Sequence, residues 1–274
     1  MNQSLSFVNQ LSQMRCFLMD MDGTVFLGER LLPGAVELVD YLEQREIPYF
    51  FLTNNSSRSK ADYAQKLNRL GLTVSEQRIF TSGEATALYL HKRMPSARLF
   101  IAGTDSLKEE FRQHDFEIVE ERPDAVVLGF DTTLTYNRLW KLCDFVRAGL
   151  PYFATHPDIN CPTENGFMPD IGAMIAFVQT STGRQPDVIV GKPNPPIIEA
   201  VTAKSGIPLQ FTVMIGDRLY TDIALGRTGI TTVLVLSGET KAADVAGSPF
   251  QPDWIVENLA ELYALLCRAH PVSG

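Results

Sequence analysis

With 274 residues, 45% of them apolar, the chain can bury one large core or two modest ones, and two domains is the expected count. A formal net charge of −8 without a long Lys/Arg cluster excludes the electrostatic footprint of a binder of nucleic acid polymers or of anionic membrane surfaces. No stretch reaches the roughly 18–20 consecutive apolar residues of a membrane span, Met1-Asn2-Gln3-Ser4 lacks the order of a signal peptide, and Cys16, Cys143, Cys161 and Cys267 form no C-x-x-C pair, so the expectation is a cytoplasmic protein whose cysteines are packing residues.

In chain order, the first β-rich run, Cys16–Met19, ends in Asp20-Met21-Asp22-Gly23-Thr24. Two carboxylates one residue apart at a strand end repel each other and lose solvation, which favours a metal ion or a positive side chain beside them. The same residues also suit a solvated turn. A helix is expected near Gly34–Arg45, where Val36, Val39 and Leu42 recur at helical spacing after Pro33. The strand Tyr49–Thr53 then leads through Asn54 to a helix near Ser59–Leu70. The middle repeats this order with Leu99–Ala102, a helix near Ser106–Gln113, Ala125–Phe130, a helix near Tyr136–Ala148, and Tyr152–Thr155. The last third follows with Val188–Val190, a helix near Asn194–Lys204 opened by Pro195-Pro196, Phe211–Ile215, Thr232–Leu236 and a closing helix near Leu259–Leu266. Strands separated by such helices imply right-handed crossovers and parallel sheets, whose ligands bind at the carboxyl ends of strands. One arrangement is a core built from both ends of the chain with a domain inserted between boundaries near 83 and 183.

Four segments finish expected strands with polar residues: Asp20-x-Asp22-Gly23-Thr24, Thr53-Asn54-Asn55, Gly191-Lys192-Pro193, and Gly216-Asp217 followed by Asp222. Displacing a phosphate from an alcohol brings an anionic nucleophile to a phosphate dianion, so a cation held by hard oxygens and an ammonium must neutralise the pair. Asp20, Asp217 and Asp222 can supply the oxygens and Lys192 the ammonium. Thr53, Asn54 and backbone N–H groups can donate to the non-bridging oxygens, and Asp22 is the candidate acid for the leaving alkoxide. Taken singly, each has a blander reading. Lys192 is then a solvated lysine, Thr53 and Asn54 supply a turn or helix cap, Asp217 is a helix N-cap and Asp222 a surface acid. A Walker phosphate loop and a G-x-G-x-x-G fingerprint are both missing, which demotes kinases, ATPases and nicotinamide enzymes.

In this order the four segments resemble the motifs of the haloacid dehalogenase superfamily, and the middle resembles the type IIA cap of its NagD-like or 4-nitrophenylphosphatase-like branch. The resemblance implies an α/β fold: a Rossmann-like parallel-sheet core of residues 1–82 and 184–274 with an inserted α/β cap of residues 83–183. It implies a phosphatase of small phosphomonoesters, such as a sugar phosphate or nucleoside monophosphate, in which Asp20 forms an aspartyl-phosphate and Asp22 serves as acid and then base. Mg²⁺ would be held by Asp20, the backbone carbonyl of Asp22 and Asp217, with Asp222 behind them; Thr53, Asn54 and Lys192 would bind the phosphate. His156 and Asp158, after the last strand of the insert, would help line the substrate pocket, although Pro157 can equally fix a plain turn. The expected partner is a small phosphorylated metabolite, and the resemblance admits a homodimer through the cap. A phosphomutase or phosphotransferase, and a regulator that binds a phosphometabolite without turnover, remain as alternatives.

Overall fold

The structure is a computed structural model that describes residues 2–163 and 166–269. Backbone packing separates Met1–Leu52, Ala64–Ile79 and Thr202–Gly274 as one unit from Thr53–Tyr63 and Phe80–Val201 as a second. Segments 53–63 and 184–201 thus pack with the middle of the chain, although an insertion boundary near 83 and 183 would leave them with its ends. Hydrogen bonding shows why for the first of them. The Phe130 N–H donates to Ser56 Oγ at 2.9 Å, and Thr104 Oγ1 donates to the Ser57 carbonyl at 3.0 Å.

The first unit is built on a six-stranded sheet in the order Trp254–Val256, Thr231–Val235, Thr212–Gly216, Cys16–Met19, Tyr49–Thr53 and Ile79–Thr81, whose last two strands run on into the second unit. The pairings of its first five strands are parallel. Cys16–Met19 is completely buried, as a central parallel strand covered on both faces must be, which explains its unbroken apolar run. Its register pairs Met19 with Ile215 on one side and Phe51 on the other. Asp20 and Gly216-Asp217 therefore leave the sheet side by side at its carboxyl edge, and the Asp20 N–H still donates to the Ile215 carbonyl at 2.8 Å.

The second unit contains a five-stranded parallel sheet in the order Val188–Ile189, Tyr152–Ala154, Ala125–Leu128, Arg98–Ala102 and Glu117–Ile118. Alternate residues feed two cores. Phe100, Ala102, Val126 and Leu128 pack with Leu142, Val146, Ile171 and Val178 on one face, and Leu99, Ile101 and Val127 pack with Leu107 and Phe111 on the other. The α/β class and both parallel sheets agree with the sequence reading.

Several elements lie outside the sequence expectations, among them the strands Ile79–Thr81, Glu117–Ile118 and Trp254–Val256. The helix Ser82–Arg93 buries Ser82, Gly83, Glu84 and Thr86 among its apolar residues, so no apolar stripe betrays it. The helix Ile171–Thr182 begins directly after a capping aspartate, and before it the strands Asn160–Thr163 and Gly166–Pro169 form an antiparallel hairpin in a stretch that carries Pro162, Gly166 and Pro169. Among the described residues no helix is long and apolar enough to cross a membrane.

Candidate active site

In the first unit, Asp20, Asp217 and Asp222 converge at the carboxyl edge of the sheet. One ligand atom from each lies within 4.8 Å of those of the other two. Asp217 and Asp222 are buried, and Asp20 is 9% exposed. Asp22, two residues on, is exposed, at a turn in which Met21 carbonyl oxygen accepts from the Val25 and Phe26 N–H groups at 2.9 and 3.1 Å. The solvated-turn reading thus suits Asp22 but not Asp20.

Asp217 is held from two sides. The Glu239 N–H donates to its Oδ2 at 2.7 Å, and Ser237 Oγ in the same loop donates to the Gly23 carbonyl at 2.9 Å. Gly23 has φ +87°, and a Cβ there would stand 2.3 Å from Asp217 Oδ2; one on Gly238 would stand 2.0 Å from the same oxygen. Only glycine lets both loops close on that carboxylate. Asp222 is anchored by the Arg218 N–H, which donates to its Oδ2 at 3.1 Å. Asp217 thus lies outside the helix-cap role, and Asp222 is no surface acid.

Burial, and then the charges of Asp20 and Asp222, push the Asp217 carboxyl well above the ordinary carboxylate range. The Glu239 N–H and Arg218 pull the other way with less effect. Asp217 Oδ1 is buried and has no hydrogen-bond partner among the described residues. A buried, repelled oxygen of this kind, flanked by two more carboxylates, fits a hard divalent cation, which would supply the missing partner and offset the crowding of charge.

In the second unit, the Asn54 side chain forms a second polar centre. Its Oδ1 accepts from the Lys192 N–H at 2.8 Å, and its Nδ2 donates to the Lys192 carbonyl at 2.9 Å and to Asp158 Oδ1 at 2.9 Å. Thr53 is buried, and its Oγ1 accepts from the Asn55 N–H at 3.1 Å, so the turn reading of this strand end is correct as far as it goes. Lys192 is 2% exposed, which removes the reading as a solvated lysine. His156 is fully buried between two acids, with Nδ1 3.8 Å from Asp158 Oδ2 and Nε2 3.6 Å from Asp170 Oδ1.

The sequence reading missed two contributors. The loop Ser237-Gly238-Glu239 follows the buried strand Thr231–Val235, and the same strand-end rule that found the other motifs points to it. Asp170 precedes an apolar helix, and its carboxylate accepts from the Ile171 N–H at 2.6 Å, an N-terminal signal visible in the sequence. Cys16 matches the packing expectation, since burial pushes its thiol up to about 12 and keeps it unreactive.

Comparison with known proteins adds a second line of observation. The sequence profile of the haloacid dehalogenase-like hydrolases matches residues 17–117, and a further HAD-hydrolase-like profile matches residues 189–262. A solved 4-nitrophenylphosphatase from Thermotoga maritima matches with a TM-score of 0.91 and 45% identity, covering 94% of this chain and 99% of that one. The 5'-nucleotidase YutF of Bacillus subtilis is 33% identical over 246 residues, 89% of this chain and 96% of that protein. An acid sugar phosphatase of Staphylococcus epidermidis is 33% identical over 247 residues, 89% and 95% of the two lengths.

Proposed function

Because this chain belongs to the haloacid dehalogenase-like hydrolase family, we propose that it is a Mg²⁺-dependent phosphatase of small phosphomonoesters working through a phosphorylated Asp20. The observation that carries the reading is the convergence of Asp20, Asp217 and Asp222 at one sheet edge, with a buried oxygen of Asp217 lacking a partner among the described residues. That relatives act on nucleotides, sugar phosphates and 4-nitrophenyl phosphate supports the class of substrate and leaves its leaving group open.

In the proposed reaction, a carboxylate oxygen of Asp20 attacks phosphorus as the bond to the substrate's alcohol oxygen breaks, and Asp22 protonates the departing alkoxide. Asp22, now a base, takes a proton from water as the water oxygen attacks phosphorus, freeing Asp20 and inorganic phosphate. Its exposure suits a group that must exchange protons with solvent. Asp20, Asp217 and the Asp22 carbonyl would hold Mg²⁺, with Asp222 fixing the ligands from behind. The cation would supply the positive charge that lets a carboxylate approach a phosphate dianion. Thr53, the backbone N–H of Asn54 and Lys192 would bind the phosphate oxygens, since the two side-chain hydrogens of Asn54 are given to Asp158 and the Lys192 carbonyl. The domain division proposed with this activity is a core of residues 1–82 and 184–274 and a cap of residues 83–183.

The test is phosphate release from a panel holding 4-nitrophenyl phosphate, sugar phosphates and nucleoside monophosphates, with Mg²⁺ and with a chelator. Release that requires Mg²⁺ is the expected result. Turnover at the same rate in the chelator would remove the Asp20 and Asp217 assignment, and transfer to a second hydroxyl without free phosphate would make the enzyme a phosphotransferase.

A further inference from the structure

His156 and Asp158 belong to a loop from which a substrate contact would be expected, yet both are buried, at 0% and 6% exposure, and both are engaged with other side chains. The Asp158 N–H points to His156 Nδ1 at 3.4 Å, which leaves Nε2 as the ring nitrogen facing Asp170 Oδ1 at 3.6 Å. Asp170 is itself fixed by capping the helix Ile171–Thr182, and the Phe130 ring stands edge-on to the imidazole with centroids 6.4 Å apart. Asp158 Oδ1 accepts from Asn54 Nδ2, and the same amide grips both backbone groups of Lys192. Gly191 completes the arrangement, because a Cβ there would lie 2.7 Å from Asn54 Oδ1 and 2.7 Å from the His156 Cβ.

We infer that the buried series Asp170, His156, Asp158 and Asn54 positions Lys192, so that the His156-Pro157-Asp158 loop acts on the reaction through the lysine rather than by touching the substrate. The inference rests on the proposed role of Lys192 in binding phosphate. An amide has two donor hydrogens and one oxygen, and all three are committed here: one hydrogen to Asp158, one to the Lys192 carbonyl, and the oxygen to the Lys192 N–H. Removing the Asp158 carboxylate leaves one buried amide hydrogen without its acceptor and takes away one of the three restraints on the amide, which loosens the backbone on which the ammonium is carried. Because every phosphomonoester presents the same phosphoryl group, such a loss falls on all substrates alike. A side chain touching the leaving group would instead change the order of preference among them.

The experiment compares Asp158→Ala, Asp158→Asn and Lys192→Met in kcat, KM and inhibition by inorganic phosphate, using 4-nitrophenyl phosphate, a sugar phosphate and a nucleoside monophosphate. Asp158→Ala should lower kcat/KM by about 10–100-fold by one common factor for all three substrates, and weaken inhibition by phosphate about tenfold, the scale of a lost hydrogen bond to a charged group. Asp158→Asn keeps an oxygen for Asn54 within the same volume, so it reports even if the alanine variant does not fold. It should stay within about threefold of the parent, with the substrate order unchanged. An altered substrate order in either Asp158 variant, with phosphate inhibition intact, would overturn the positioning role and make Asp158 a substrate contact. If instead Lys192→Met left turnover and phosphate inhibition unchanged, the phosphate-binding reading beneath the inference would fall.

Discussion

At the scale of single residues, the chemistry depends on the difference between two aspartates that stand two positions apart. Asp20 is nearly buried, and Asp22 is exposed. Replacing Asp20 by Asn keeps the volume of the strand end and removes the nucleophile, so phosphate release should fall to background while the protein stays folded. Asp22→Ala leaves the nucleophile in place and removes proton transfer, for which the expected loss in kcat is about 10²–10⁴-fold. Single-turnover assays distinguish the two, because the Asp22 variant can still accumulate phosphorylated enzyme from an activated ester such as 4-nitrophenyl phosphate. Equal turnover of the Asp20→Asn variant and the parent would end the proposal.

Asp217 makes a prediction about pH. Its carboxyl is pushed well above the ordinary range by burial and by Asp20 and Asp222, whereas in the unfolded chain it titrates near about 3.9. Between these two values the folded protein holds a proton that the unfolded chain has released, so without a divalent cation its stability falls as pH rises through that window. A cation binds the deprotonated carboxylate, so binding expels the proton and affinity climbs with pH over the same interval. Melting temperatures across pH, in a chelator and in Mg²⁺, should diverge increasingly toward neutral pH, and Asp217→Asn should remove most of the divergence. Curves that coincide for the parent at neutral pH would contradict a cation at this site.

At the scale of elements, Cys16–Met19 carries the site because a central strand fixes where its last residue ends. Leu18 is fully buried within it, and Leu18→Ala should cost about 2–5 kcal/mol of stability, read by denaturant titration, as the cavity forfeits both transfer energy and packing. Strands of this kind were legible because burial on both faces demands a continuous apolar run, as in Ala125–Leu128, whose alternate residues serve opposite cores. The helix Ser82–Arg93 was not legible, for the converse reason. Its buried residues include Ser82, whose hydroxyl donates to the Asn54 carbonyl, and Thr86, whose hydroxyl donates to the Ser82 carbonyl at 2.6 Å, so polar residues occupy the face where a periodic apolar stripe would show. The strands Asn160–Thr163 and Gly166–Pro169 were hidden by a stretch whose prolines and glycines signal turns more strongly than pairing.

At the scale of the whole molecule, the charge of −8 opposes the approach of a phosphate dianion. Salt screens that repulsion, since the Debye length shrinks from about 30 Å at 0.01 M to about 8 Å at 0.15 M ionic strength. At fixed Mg²⁺, kcat/KM should therefore rise, by about twofold, over this range. A fall would mean that the substrate meets a locally positive field strong enough to outweigh the net charge.

The motifs at the strand ends were readable from the sequence because each is local: an apolar run, then polar residues within a few positions, in a chain whose alternating elements demand parallel sheets. Which motif meets which was decided by tertiary structure. Asp158 reaches Asn54 across 104 positions, and Asn54 reaches Lys192 across 138. The Glu239 N–H that fixes Asp217 comes from a separate strand end, 22 residues on. Sheet order and strand register create those encounters, and spacing along the chain carries no signal for a hydrogen bond made between strands that neighbour each other only after folding.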